Sequence, residues 1–320
     1  MYKVVVKGKG NIVARIVADS INKNGNRITT FELEYHRFIH SELMTHRLFS
    51  RNAMSSRAVP ISKMIEQVRN NPATPIHWGK NQAGMQAKVE CEDKDWHKQQ
   101  WFNAAEFAAN VAEIMSHPEN VQFGHTIAHK QIVNRILEPF QMMKTVLTAT
   151  EFDNFFWLRC DPDAQPEIQE LANCMFDAMK RSEPEYLKEG QWHTPYVDHW
   201  EGVEEHSEDF GYMIYEDGKP KIINEEEAKA ISASCCAQVS YRTLNNTYEK
   251  AMDIYSKLAS GRKVHASPFE HVAKPMGDSP SHEDGVTHKD NVGNYWSGNF
   301  KGWIQLRQTL NNHVCCDYRE

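Results

Sequence analysis

The chain is expected to be an α/β (α+β) protein, a mixed sheet flanked by helices, and three observations lead there. Residues 27–35 alternate apolar Phe31, Leu33 and Tyr35 with polar Thr30, Glu32 and Glu34, the two-residue period of a strand. A helical period then governs Ala104, Phe107, Ala108, Val111, Ile114 and Met115, with Pro118 just beyond as a stop. It returns in Ile168, Leu171, Met175 and Met179, behind a Pro166 suited to a first turn. A length of 320 residues suffices for a sizeable core, and one enlarged domain over 1–320 is expected.

The remaining elements follow in order. After the first strand, the i, i+4 pairs Ile39/Leu43 and Met44/Leu48 predict a helix that stops near Phe49, with Glu42, His46 and Arg47 on its other side. Residues 70–98 read as a polar loop, and the acidic stretch 198–227 as an exposed connector or hairpin; both are taken as insertions. Asn224 with Glu227, and Asn246 with Glu249, resemble capping boxes that open two more helices. Their apolar stripes are Ile231, Cys235 and Val239, then Ala251, Ile254, Tyr255 and Leu258. Residues 276–294, rich in Gly, Asp, Ser and His, predict a mobile loop.

Composition excludes several classes. A net charge of -7 is unsuited to general nucleic-acid binding, which needs many cations to displace counterions. No apolar run is long enough to span a bilayer and the first residues lack a signal-peptide core, so a cytoplasmic protein is expected. Seven cysteines without a C-x-x-C spacing argue against a disulfide framework. His36, His40 and His46 match no metal-ligand spacing, and no metal site is predicted.

Chemistry is concentrated in residues 46–57, His-Arg-Leu-Phe-Ser-Arg-Asn-Ala-Met-Ser-Ser-Arg, where three arginines, three serines, an asparagine and a histidine fall within twelve positions. Guanidinium forks and short neutral donors together make an anion site. Arg135-Ile-Leu-Glu-Pro139, Asn154-Phe-Phe-Trp-Leu-Arg159, Cys236-Ala-Gln-Val-Ser240-Tyr241 and His265-Ala-Ser-Pro-Phe-Glu270-His271 accompany it. A fixed guanidinium would stabilise negative charge developing on a bound ring, and Arg159 is the candidate. His271 could relay protons, or equally cap a helix or fill a polar core position. Ser240 could be a helix cap.

The order His-Arg-x-x-Ser-x-Asn-x-x-Ser-x-Arg resembles the signature of the flavin-dependent thymidylate synthases, and the accompanying segments resemble others of that family. The last two precede the signature in the family's usual order and follow it here, which implies a circular permutation with 228–275 as the displaced flavin-site segment. Residues 230–275 should then pack beside residues 28–60. The resemblance implies the family's fold with insertions, FAD and NADPH as cofactors, methylene-tetrahydrofolate as co-substrate, dUMP as substrate, and a homotetramer with sites between subunits. It also implies that Thr45, His46, Arg47, Leu48, Ser50, Asn52, Asn154, Ser240 and His271 face the flavin. Glu42, Ser55, Ser56, Arg57, Arg135 and Arg159 would face the nucleotide, and Arg159 and His271 are the catalytic candidates.

This sequence departs from the family pattern at Thr45, where an arginine is usual, at Ala53 for glutamate, at Glu42 for glutamine and at Asp163 for histidine. A dCMP-directed enzyme or a hydroxymethylase is the nearest alternative, with Glu42 accepting from an exocyclic amine. A nucleotide-binding protein without turnover is a second.

Overall fold

A computed structural model describes residues 2–201, 209–240, 247–259 and 264–317, with the side chain of Ser240 outside the described set. Its centre is a six-stranded mixed sheet. Strands β1 (Val4–Lys7), β2 (Val13–Ile21), β3 (Arg27–His36), β5 (Met142–Ala149) and β4 (Ser50–Ala53) lie side by side in that order, all antiparallel, and β6 (Glu185–Tyr186) joins the end of β2 in parallel. The α+β class expected from the alternation in residues 27–35 is the class observed.

One face carries the expected core. Ile12, Ile16, Phe31, Leu33 and Tyr35 pack under α6 (Pro166–Arg181), which buries Ile168, Leu171, Ala172, Cys174, Met175 and Ala178. Gln165 caps that helix by accepting from the backbone N–H groups of Glu167 and Ile168. The other face of β3 is buried too, although its residues are polar. Thr30 and Glu32 are buried, and Glu32 is matched from three sides: Tyr2 ahead of β1 donates to it at 2.8 Å, Tyr196 of a second layer donates to it at 3.1 Å, and Lys144 of β5 pairs with it at 3.4 Å. A fully buried carboxylate, Asp19, is matched by the Arg27 fork at 2.8 and 2.6 Å and by the Thr29 hydroxyl at 2.9 Å. Arg27 also donates to the carbonyls of Met179 and Ser182, tying the end of α6 to the sheet.

That second layer contains β7 (Asp198–Glu201), β8 (Phe210–Glu216) and β9 (Lys219–Ile223), a three-stranded antiparallel sheet, with α7 (Glu225–Ala237) and α8 (Tyr248–Ala259). The acidic stretch 198–227 thus contains a hairpin, β8–β9, whose Tyr212, Ile214 and Ile223 belong to a core rather than to an exposed connector. Asn224 and Glu227 form the expected capping box. Asn246 lies outside the described residues. Residues 276–294, expected as a loop, hold only a short 3-10 turn at Pro280–His282 and one two-residue strand, and paired strands flank them. Strand β10 (Ala273–Pro275) pairs with β14 (Trp303–Gln305), and β11 (His288–Lys289) pairs with β12 (Tyr295–Ser297), which pairs with β13 (Phe300–Lys301).

Two helical expectations need correction. Helix α3 (Lys94–Ser116) starts inside the expected 70–98 loop and packs against α2 (Ile61–Asn70) and α4 (Lys130–Ile136) through Ala105, Ala108, Ala109 and Ala112. Phe107 and Ile114, assigned to its core face, are 71% and 63% exposed. Both faces carry an apolar stripe, and the small-residue one lets α2 approach closely. The helix expected to reach Phe49 is only α1 (His40–Leu43). Thr45 Oγ1 donates to the Glu42 carbonyl, and Arg51 Nη1 donates to the carbonyls of Leu43 and His46. Side chains therefore occupy acceptors that a continuing helix would use, and the chain turns into β4.

Candidate active site

The signature segment leaves α1 through the turn at 44–49, becomes β4, and pairs there with β5 in the register Ser50↔Thr148, Asn52↔Val146 and Ala53↔Thr145. Beyond β4, Ser55, Ser56 and Arg57 line a cavity of about 220 Å³ together with Arg37, His40 and Arg135. Glu138 stands at its wall. Its Oε1 meets Arg37 Nη2 at 2.8 Å and Arg135 Nη1 at 3.2 Å, and accepts from Ser56 Oγ at 3.4 Å. Arg57 is exposed and has no ion-pair partner among the described residues. Three guanidinium groups around one carboxylate leave a net positive pocket with hydroxyl donors at its rim, which is what a phosphate monoester requires. His40 is kept neutral by burial and then by Arg37 and Arg51, and its Nδ1 bonds the Tyr35 hydroxyl at 2.8 Å.

Arg159, the last residue of α5 (Asp153–Arg159), belongs to a different group. Its Nη1 pairs with Glu42 at 3.0 Å and its Nε donates to His46 Nε2 at 3.0 Å. A guanidinium only donates, so His46 presents a bare Nε2 and carries its proton on Nδ1. The His46 ring stands edge-on to Phe155, at 4.8 Å, and burial, followed by Arg159 and Arg51, lowers its pKa to about 4. Glu42 and Arg159 face a cleft of about 1040 Å³, walled in part by insert residues including His77, Gly79 and Gln86. The structure thus brings Arg57 and Arg135 into one cavity and sets Arg159 in another.

The third group lies where the C-terminal half meets the sheet. Asn52 Nδ2 donates to the Cys236 carbonyl at 3.3 Å, and Gln305 Nε2 donates to Ser50 Oγ at 3.3 Å. His271 is fully buried, and Nδ1 bonds Thr148 Oγ1 at 2.8 Å. From there a buried chain continues: Thr148 to Thr30 at 2.7 Å, Thr30 to His193 Nε2 at 2.8 Å, and His193 Nδ1 to Ser20 Oγ at 2.9 Å. The opposite nitrogen of His271, Nε2, is buried without a partner among the described residues. Each hydroxyl has one proton, so the protons in this chain can be ordered in one direction or the other. Its polarity sets which His271 nitrogen is protonated. Burial lowers His271 to about 3 and holds His193 well below the usual histidine range. These contacts place residues 230–275 directly against β3, β4 and β5.

Among the other sequence-predicted residues, Arg47 and Asn154 are exposed, and their side chains make no hydrogen bond or ion pair to other described residues. Thr45 is spent on the α1 terminus, and the Leu48 carbonyl accepts from Asn299 Nδ2 at 2.8 Å. Tyr241 and the Ser240 side chain lie outside the described residues. Sequence reasoning missed Arg37, His40, His193 and the role of Glu138. Only Glu138 carried a local signal, as the acid inside Arg135-Ile-Leu-Glu-Pro139.

Comparison with known proteins gives a family for this arrangement. Residues 27–185 match the model of the family described as thymidylate synthase complementing protein. A search of curated proteins gives no match. Solved structures similar to the chain include thymidylate synthase X from Helicobacter pylori with FAD and dUMP, at 16% identity and a TM-score of 0.33, over 48% of this chain and 67% of that one. A second is the flavin-dependent thymidylate synthase from Helicobacter pylori complexed with FAD and dUMP, at 17% identity and a TM-score of 0.32, with the same coverage. The matched segment holds β3, β4, β5, α6 and the arginines of both cavities, and over residues 27–185 this chain is similar to the thymidylate synthase complementing protein family.

Proposed function

We propose that this protein is a flavin-dependent thymidylate synthase that converts dUMP to dTMP, with methylene-tetrahydrofolate as one-carbon donor and NADPH as reductant. The observation that carries this is the cavity shared by Arg57 and Arg135 with Ser55 and Ser56, inside the segment that matches the family. There the serines and arginines seat the nucleotide phosphate, and Arg37 adds a third fork. Arg159 faces the pyrimidine and stabilises negative charge on the ring as C5 takes up the one-carbon unit. Glu42 and His46 hold that guanidinium in place through its Nη1 and Nε, so its orientation is set before substrate arrives.

FAD fits the donor set of this chain. The exposed guanidinium of Arg47 and the exposed amide of Asn154 are uncommitted among the described residues, as a pyrophosphate and a ribose require. Thr45, Leu48 and His46 line the turn between them, while Ser50, Asn52 and His271 support the flavin side from the β4 junction. When bound there, reduced FAD would supply the hydride that completes the methyl group.

The site is completed in a homotetramer. Arg159 and the Arg57 cavity are apart within one chain, and a second copy brings them together. The exposed stripe of Ala104, Phe107 and Ile114 on α3, with half-buried Val111 beside it, offers a face for that association. Among the described residues no helix is long and apolar enough to cross a membrane.

An absorption spectrum tests the proposal. Purified protein should take up FAD, show a band near about 450 nm and bleach with NADPH in a dUMP-dependent way. Mass analysis should find dTMP. Protein that takes up no FAD, or that converts dCMP alone, overturns it.

A further inference from the structure

We infer a divalent transition-metal site, of the zinc class, in the insert between α2 and α3, formed by Cys91, Asp93 and His97. One ligand atom from each, a thiolate sulfur, a carboxylate oxygen and an imidazole nitrogen, lies within 4.8 Å of the others. Atoms bound to one tetrahedral zinc ion are about 3.3–3.8 Å apart, from bond lengths near 2.0–2.3 Å. Side-chain rotations of about an ångström close the site.

The backbone already presents these groups. Cys91 N–H donates to the Trp78 carbonyl at 2.8 Å, and Gly79 bridges Glu90, so a short antiparallel pairing holds the cysteine in place. Asp93 sits just before α3 but makes no capping bond. Its carboxylate turns instead to His97, one helical turn on, with Oδ1 3.3 Å from Nε2. The three line a cavity of about 650 Å³ that leaves room for a water as fourth ligand.

Donor chemistry selects the ion. A thiolate and an imidazole suit zinc or cobalt and disfavour magnesium and calcium, which take oxygen ligands. The thiolate and carboxylate neutralise a divalent charge while histidine binds neutral, so the loaded site carries no excess charge. The ion would staple residue 91 to the first turn of α3. It would thereby stiffen an insert of more than twenty residues that has no helix of its own and that walls the cleft of Arg159.

The test uses the full chain, stripped of metal by a chelator and titrated with Co²⁺. One equivalent should bind with a near-ultraviolet thiolate-to-cobalt charge-transfer band, and Zn²⁺ should displace it. Cys91→Ser should remove the band. His97→Gln should weaken Co²⁺ binding more than about tenfold, with circular dichroism checking that each variant is folded. The double variant Cys315→Ser/Cys316→Ser, at the exposed adjacent pair, should keep the band. A band that is absent from the wild type, survives in Cys91→Ser or vanishes in the double variant overturns the site.

Discussion

Lowering the pH should destabilise the fold through His271, and the size of the effect follows from its burial. His271 titrates at about 3 in the folded chain, because burial penalises its charged form. An unfolded histidine titrates at about 6.5. The folded-state value is depressed, so the unfolded chain binds more protons below about 6.5 and stability falls as pH falls. Between about pH 7 and about pH 5 this one side chain costs the folded state about 2 kcal/mol, a large share of a typical 5–15 kcal/mol. His193 acts in the same direction. Urea denaturation at both pH values, in wild type and His271→Asn, isolates the contribution, because the variant lacks that titration. The wild type's stability relative to the variant should drop by about 2 kcal/mol on acidification. A gap that does not change with pH would refute the account, since His271 would then not be held neutral in the folded chain.

Three further outcomes are expected. Glu138→Gln removes the carboxylate that competes with phosphate for Arg37 and Arg135, and should tighten dUMP binding by roughly threefold to tenfold, about 1 kcal/mol; calorimetric titration showing weaker binding would oppose that role. Arg27→Ala leaves the fully buried Asp19 carboxylate without its cation and should cost about 3–5 kcal/mol, read from denaturant midpoints. Phe107→Glu puts a charge in the exposed α3 stripe and should lower the assembly size seen by light scattering at unchanged far-ultraviolet circular dichroism; an unchanged mass would remove α3 from the interface.

How much could be read in advance depended on the range of the interactions. Strand β3 and helix α6 were legible because their periods are local: Phe31, Leu33 and Tyr35 alternate, and Ile168, Leu171 and Met175 share a helix face. The Asn224 capping box was legible for the same reason, since its two hydrogen bonds span three residues. The end of α1 was not, because Arg51 reaches back to two carbonyls from the next strand. Nor was the choice of core face on α3, where two apolar stripes compete and only the position of α2 decides.

By itself the sequence determined the α+β class and the clustering of cations and hydroxyls in residues 46–57, and it singled out Arg135 and Arg159 as candidates. Each depends on residue type and near spacing. Only the tertiary structure decided that Arg57 and Arg135 share a cavity with Arg37 around Glu138, that Arg159 is held apart by Glu42 and His46, and that His271 ends a buried chain running to Ser20. The physical reason is that pairing and burial energies act between groups brought within a few ångströms by the sheet, whatever their separation along the chain.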